Sequence, residues 1–239
     1  MLLLDAGNSR VKWALTMDGA WLQQGVAPIA DVAALRHAFE ILPPSHRILA
    51  SNVAGESGAQ QIRAACVALG CKVEFITARA EQCGVHNAYA QPAQLGSDRW
   101  AALIAAWRQM HAACLVVNCG TATTVDALSS DGEFLGGLIL PGVDMMRHSL
   151  AAGTAQLEMA VGKWGEFPRN TADAIYSGAI QATIGAIRQQ YGLLGAPDAY
   201  CLLGGGAANH IQPHLGLPLL RVDDLVLRGL QLIGQETGA

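Results

Sequence analysis

The chain opens on Met1-Leu-Leu-Leu-Asp5-Ala6-Gly7-Asn8-Ser9-Arg10-Val11-Lys12. An unbroken apolar run that meets a carboxylate is the pattern of a strand buried on both faces, with Asp5 at its end. Gly7-Asn8 is a turn dipeptide, because glycine needs no Cβ clearance and asparagine tolerates positive φ. Val11, Trp13 and Leu15 then alternate with Lys12 and Ala14, so the chain returns as a second strand. The tip of this hairpin gathers a carboxylate, bare backbone, a hydroxyl and an ammonium. Such a set can hold a polyphosphate: Asp5 on the metal side, the Gly7 and Asn8 amides on phosphate oxygens, Ser9 as a donor and Lys12 as a point charge. Taken alone, a solvated hairpin tip explains the same residues equally well.

The pattern occurs twice. Leu115-Val-Val-Asn118-Cys119-Gly120-Thr121-Ala122-Thr-Thr-Val-Asp126 again reads as apolar strand, polar residue, spacer, glycine, small hydroxyl and returning strand. A repeat near the midpoint predicts two similar halves, 1–112 and 113–239. The Gly120 and Thr121 amide and hydroxyl would then serve a second phosphate position. One phosphate hairpin per half resembles the plan of the actin, hexokinase and Hsp70 superfold. The predicted class is α/β, with duplicated ribonuclease H-like halves. Each half would be a mixed five-stranded sheet flanked by helices. The predicted order of the first half, β-β-β-α-β-α-β, fits.

Composition narrows the partners. The 239 residues are 51% hydrophobic and 14% charged, enough apolar content for a sizeable core in each half. A net charge of −4 argues against nucleic acid, whose backbone demands a basic surface. No run approaches the ~20 apolar residues of a membrane span. The N-terminus lacks a signal-peptide pattern, so a cytoplasmic protein is expected. Six cysteines with no CxxC pair are expected as reduced core thiols. The histidines do not make a metal spacing.

Within the first half lies a polar connection, 78–97, longer than a compact domain needs without a function. It contains Tyr89, which suits a pocket lining or an exposed loop equally. It ends in Gly96-Ser97-Asp98-Arg99, from which a helix runs to about Met110. Ser97 is the expected N-cap. The pair Asp98-Arg99 offers a proton acceptor and a fixed cation. The helix N-terminus is expected to lower the Asp98 pKa and make it a weak base, which phosphoryl transfer tolerates. Further on, Asn170-Thr171 opens a long helix with a stripe of Ile175, Gly178, Ala179, Ala182 and Ala186, suited to close helix approach. Gly204-Gly205-Gly206-Ala207 follows a strand and reads equally as a nucleotide cover or a tight strand-to-helix turn.

Taken together, these segments resemble a known family. Asp5-Ala-Gly7-Asn8-Ser9 resembles the D-x-G-N-[ST] motif of type III pantothenate kinases. Gly96-Ser97-Asp98-Arg99 is similar to their G-x-D-R motif, and Asn118-Cys119-Gly120-Thr121-Ala122 to their D-x-G-T-A motif. Asn170-Thr171 and the triglycine fall where that family has its N-T and glycine-rich segments. The resemblance implies ATP-dependent phosphorylation of pantothenate, the first step of coenzyme A synthesis, by a homodimer that needs Mg²⁺. It implies that Asp5 is the metal-side carboxylate, that Asp5, Ala6, Gly7, Asn8, Ser9, Arg10, Val11 and Lys12 form the ATP phosphate segment, and that Thr121 contacts ATP. It implies that Asp98 is the catalytic base. Tyr89, Gly96, Ser97, Asp98, Arg99 and, from the partner subunit, Thr171 would bind pantothenate. Ser9 stands where threonine is commoner and keeps the hydroxyl. Asn118 stands where the family has an aspartate for K⁺ or NH₄⁺, so that cation site is expected to be weak or absent. Another small-molecule kinase of the superfold, such as a sugar kinase, is the alternative enzyme. A nucleotide-binding transcriptional regulator is the alternative outside enzymes.

Overall fold

The computed structural model describes residues 1–43, 47–153 and 161–238. They divide into two compact units, Met1–Gln109 with Asp224–Ala239, and Met110–Asp223.

In the first unit, β1 (Leu2–Ala6), β2 (Arg10–Met17) and β3 (Ala20–Pro28) form an antiparallel meander. β4 (Ile48–Asn52) and β5 (Val73–Phe75) join the other side of β1 in parallel. The sheet order is β3-β2-β1-β4-β5. Leu2, Leu3 and Leu4 are fully buried, as an apolar run in a central strand requires. Helix α1 (Val32–Glu40) starts at Asp31, whose carboxylate accepts from the Ala34 amide at 2.9 Å, the expected cap. Of the two prolines expected to end it, Pro44 lies outside the described residues. Helix α2 (Gly55–Cys66) tightens into a 3₁₀ turn and stops at Gly70, which takes φ 69°. Phe39 of α1 meets Trp13 edge-on in the core.

The connection 78–97 is ordered by a small hairpin, β6 (Glu81–Gln82) with β7 (Val85–Asn87), and by Asn87. That side chain donates to the Arg79 and Pro92 carbonyls and accepts from the Tyr89 amide. Helix α3 (Ser97–Met110) follows, with Trp100, Leu103 and Ile104 fully buried.

In the second unit, β8 (Cys114–Cys119), β9 (Ala122–Leu128) and β10 (Glu133–Pro141) form the matching antiparallel meander. β11 (Tyr200–Gly204) and β12 (Leu219–Arg221) again join in parallel, so the strands lie in the order β10-β9-β8-β11-β12. The strand pattern of the first unit is thereby repeated, as the sequence repeat predicted. Helices α4 (Val143–Gly153), α5 (Thr171–Leu194) and α6 (Ala208–Leu215) complete the unit.

The last helix, α7 (Leu225–Glu236), differs from the expectation that 113–239 is one half: it packs in the first unit. Gly229 lies so close to the Ala101 carbonyl of α3 that no Cβ could fit. Arg47 donates to the Gly234 carbonyl at 2.9 Å and to the Thr237 hydroxyl at 2.8 Å. All six cysteines are free, four of them fully buried. Among the described residues no helix is long and apolar enough to cross a membrane, and no group of three metal-ligating side chains occurs.

Candidate active site

The first hairpin turns between β1 and β2, where Asp5 lies opposite Lys12 and, across β4, beside Ser51. The Gly7 amide donates to the Arg10 carbonyl at 3.0 Å and closes the turn. This corrects the expectation that Gly7 offers its amide to phosphate. The exposed tip is Asn8, Ser9 and Arg10. Ala6 and Val11, which flank it, are fully buried and serve packing. The second hairpin behaves alike: the Gly120 amide donates to the Ala122 carbonyl at 3.0 Å, leaving Thr121 at an exposed tip. Gly142, at the start of α4, is pressed against the Gly120 and Thr121 carbonyls, and its amide donates to Thr121 O at 2.9 Å. That brace carries no sequence signal beyond a glycine after a proline.

Asp98 reaches the first hairpin through a serine pair. The Ser97 hydroxyl lies 2.8 Å from the Ser51 hydroxyl and accepts from the Asn52 amide at 3.2 Å. Ser97 is therefore the first residue of α3, docked on the end of β4, and not its cap. Because Ser51 pairs with Asp5, this dock sets Asp98 near Asp5 at the ends of two adjacent strands. An Asp98 oxygen accepts from the Arg99 amide at 2.7 Å, and a Cβ on Gly96 would lie 2.7 Å from that same oxygen. A side chain at 96 would force the carboxylate to move.

Arg99 is buried, and its Nη1 donates to the Tyr89 hydroxyl at 3.2 Å, with the guanidinium 6.0 Å from that ring's centre. Tyr89 is half-buried against Arg99, which removes the exposed-loop alternative. The missed members of the site are Ser51 and Asn52. Their signal was available, since two polar residues end the otherwise apolar β4.

The electrostatics differ from expectation. Burial pushes the Asp5 carboxyl up to about 7, reinforced by the negative charges of Asp98 and Asp224 and opposed by Lys12. Burial likewise holds Asp98 above the ordinary carboxylate range, against the pull of the Arg99 amide and charge. The prediction that the helix N-terminus lowers the Asp98 pKa is thus overturned: desolvation outweighs the helix end. A raised carboxylate is a better proton acceptor than a lowered one.

In the second unit, Asn118 is half-buried at the end of β8, opposite Thr124 and beside Gly204. Gly205 takes φ +93°, and a Cβ there would lie 2.5–2.6 Å from the Cys119 backbone. A Cβ on Gly204 would lie 2.5 Å from the Val222 carbonyl. Of the two readings of the triglycine, those two positions support the tight turn. Gly206 meets nothing and is exposed. Thr171 is exposed at the start of α5, whose N-cap Asn170 accepts from the Asp173 amide at 2.9 Å. Ala179, expected on a surface stripe, is in the core. The exposed small residues of α5 are Ala174, Gly178, Ala182, Gly185 and Gly192, and an added Cβ at any of the three glycines meets nothing.

The type III pantothenate kinase family model matches residues 1–192. A type III pantothenate kinase of Aromatoleum aromaticum is 50% identical, the match covering 100% of this chain and 99% of that one. One of Nitrosospira multiformis is 46% identical over 99% of this chain and 92% of the relative. Among solved structures, a Campylobacter jejuni protein provisionally described as a Baf family transcriptional activator superposes with a TM-score of 0.63 at 21% identity, over 100% and 99% of the two chains. A polyphosphate/ATP-glucomannokinase from Arthrobacter sp. strain KM gives 0.52 at 14% identity over 99% and 98%. At those identities the structures speak for the fold alone, and they bear out the superfold.

Proposed function

Because the chain belongs to the type III pantothenate kinase family, and so phosphorylates pantothenate with ATP in the first step of coenzyme A synthesis, we propose that Asp98 takes the acceptor hydroxyl's proton and that the two hairpins hold the nucleotide phosphates. The observation that carries this reading is the Ser51–Ser97 dock, which fixes Asp98 beside Asp5. The raised Asp98 carboxyl binds a proton more readily than a surface aspartate. In a loose phosphoryl transfer the hydroxyl proton leaves late, so orientation is the larger part of its task. Arg99, held against Tyr89, offers a fixed cation for the carboxylate of pantothenate.

Mg²⁺ comes with the family's ATP chemistry. Asp5 fits it: burial and the neighbouring carboxylates Asp98 and Asp224 destabilise its charge, a state that a cation relieves. The ion would neutralise phosphate charge. Ser9, Lys12 and the Asn8 amide on the first hairpin, and Thr121 on the second, are the proposed phosphate contacts. The monovalent cation site does not fit. Asn118 supplies a carbonyl oxygen without charge, and a K⁺ or NH₄⁺ ion loses most of its attraction there.

The enzyme is read as a cytoplasmic homodimer, with α5 at the contact and Thr171 of each copy completing the other's pantothenate site. The exposed small residues of α5 support that contact. Purified Asp98→Asn tests the assignment of the base. It should keep ADP affinity and thermal stability while turnover falls by about 10²–10⁴. Turnover within a few-fold of wild type would move the role elsewhere.

A further inference from the structure

At the end of β12, Arg221 lies in register with Leu203 of β11. Its guanidinium turns towards the triglycine: Nη2 donates to the Gly205 carbonyl at 3.1 Å, and that oxygen also accepts from the Ala208 amide at 3.2 Å. Nε and Nη2 meet the carboxylate of Asp223. Nη1 is buried, with no hydrogen-bond partner among the described residues. A buried charged donor without a partner is costly to keep, a cost that the bonds of Nε and Nη2 have to offset. Its charge is felt at Cys119, whose thiol burial pushes up to about 11 while Thr123 and Arg221 pull it back.

The backbone around it is a stack of close approaches. Gly205 lies flat on Cys119, and the Ala207 amide donates to the Cys119 carbonyl at 3.0 Å. Cys119 is the last residue of β8 and leads directly into Gly120 and Thr121. A shift of the Gly205 peptide is therefore a shift of the second hairpin.

We propose that Arg221 is a positioning residue for the nucleotide: by holding the Gly205 carbonyl it seats the triglycine turn on Cys119, and so sets the place of Thr121. This rests on the reading of the second hairpin as a phosphate contact. Arg221 acts through the turn and touches no substrate. Its removal should therefore weaken nucleotide binding and leave the acceptor side alone.

The test compares Arg221→Met, Arg221→Lys and Thr121→Ala with wild type, by ADP titration calorimetry and by steady-state kinetics. Arg221→Met should raise the Kd of ADP and the KM of ATP about tenfold, at the low end of what a lost charge-assisted hydrogen bond costs. The kcat should stay within about threefold and the pantothenate KM unchanged. Arg221→Lys, which keeps a charge and one donor in reach of Gly205, should recover part of the loss, and it decides the matter where Arg221→Met fails to fold. Unchanged ADP affinity in a folded Arg221 variant overturns the proposal while a weakened Thr121→Ala leaves the hairpin reading standing. Unchanged affinity in both Thr121→Ala and the Arg221 variants overturns hairpin reading and proposal together. Loss of kcat and of both KM values in step with melting temperature would show a merely structural role and also overturn it.

Discussion

At the scale of single residues, charge decides more than shape. Asp5 is the sharpest case. Its folded carboxyl titrates near 7 against an ordinary 3.8, so the folded state favours the protonated form. The cost of ionising it is absent below about pH 3.8 and complete above about pH 7, so stability is lost as pH rises through that window. Each pH unit of difference is about 1.4 kcal/mol. Water at this half-buried group reduces the effect to roughly 1–2 kcal/mol. Urea unfolding in EDTA should therefore find Asp5→Asn more stable than wild type at pH 8 and nearly equal at pH 4.5. An equal difference at both pH values would contradict the assignment. Asn118 gives a second prediction. The Coulomb attraction that a carboxylate would lend a monovalent ion at ~3 Å is on the order of 5 kcal/mol at an effective dielectric of about 20, before desolvation. Titrating KCl against choline chloride at saturating Mg-ATP should show little activation. Saturable activation at low millimolar K⁺ would mean that other ligands hold the ion.

At the scale of elements, the sequence was readable where a pattern is local. Asp31 caps α1 and Gly70 stops the turn after α2 because a cap depends only on its own neighbours. The two hairpins were legible for the same reason. What was not legible depends on which group a residue meets across the fold. Gly7 and Gly120 spend their amides inside their own turns. Ser97 meets Ser51 across the fold, and burial, not the helix end, sets the direction of the Asp98 pKa. On α5 the 3.6-residue period alone could not say which small residues face in. Ala179 and Ile180 turn inward, while Gly178, Ala182 and Gly185 face out. The proposed α5 contact is therefore tested at Ala182. Ala182→Arg should leave the monomer folded, since the position is exposed, yet dissociate the proposed dimer and depress activity together in light scattering and assay. A fully active monomer would remove α5 and Thr171 from the neighbour's site.

At the scale of the whole molecule, one strand pattern is used twice, and each copy ends its first hairpin in a different way. The first carries Asp5, with the pair Asp98-Arg99 docked near it. The second carries a hydroxyl tip, braced by Gly142 and the triglycine. The repeated strand pattern was legible in the sequence, whereas the return of α7 to the first unit was not. That return rests on Gly229 meeting the Ala101 backbone, a contact between residues 128 positions apart in the numbering. The chain belongs to a family whose members move the γ-phosphoryl group of ATP onto pantothenate. The direct measurement is phosphorus NMR of purified protein with Mg-ATP and a panel of acceptors: pantothenate, hexoses and 2-keto-3-deoxy sugars. It should show a new phosphomonoester and matching ADP with pantothenate alone. A sugar phosphate, or ADP formed equally without any acceptor, would contradict it.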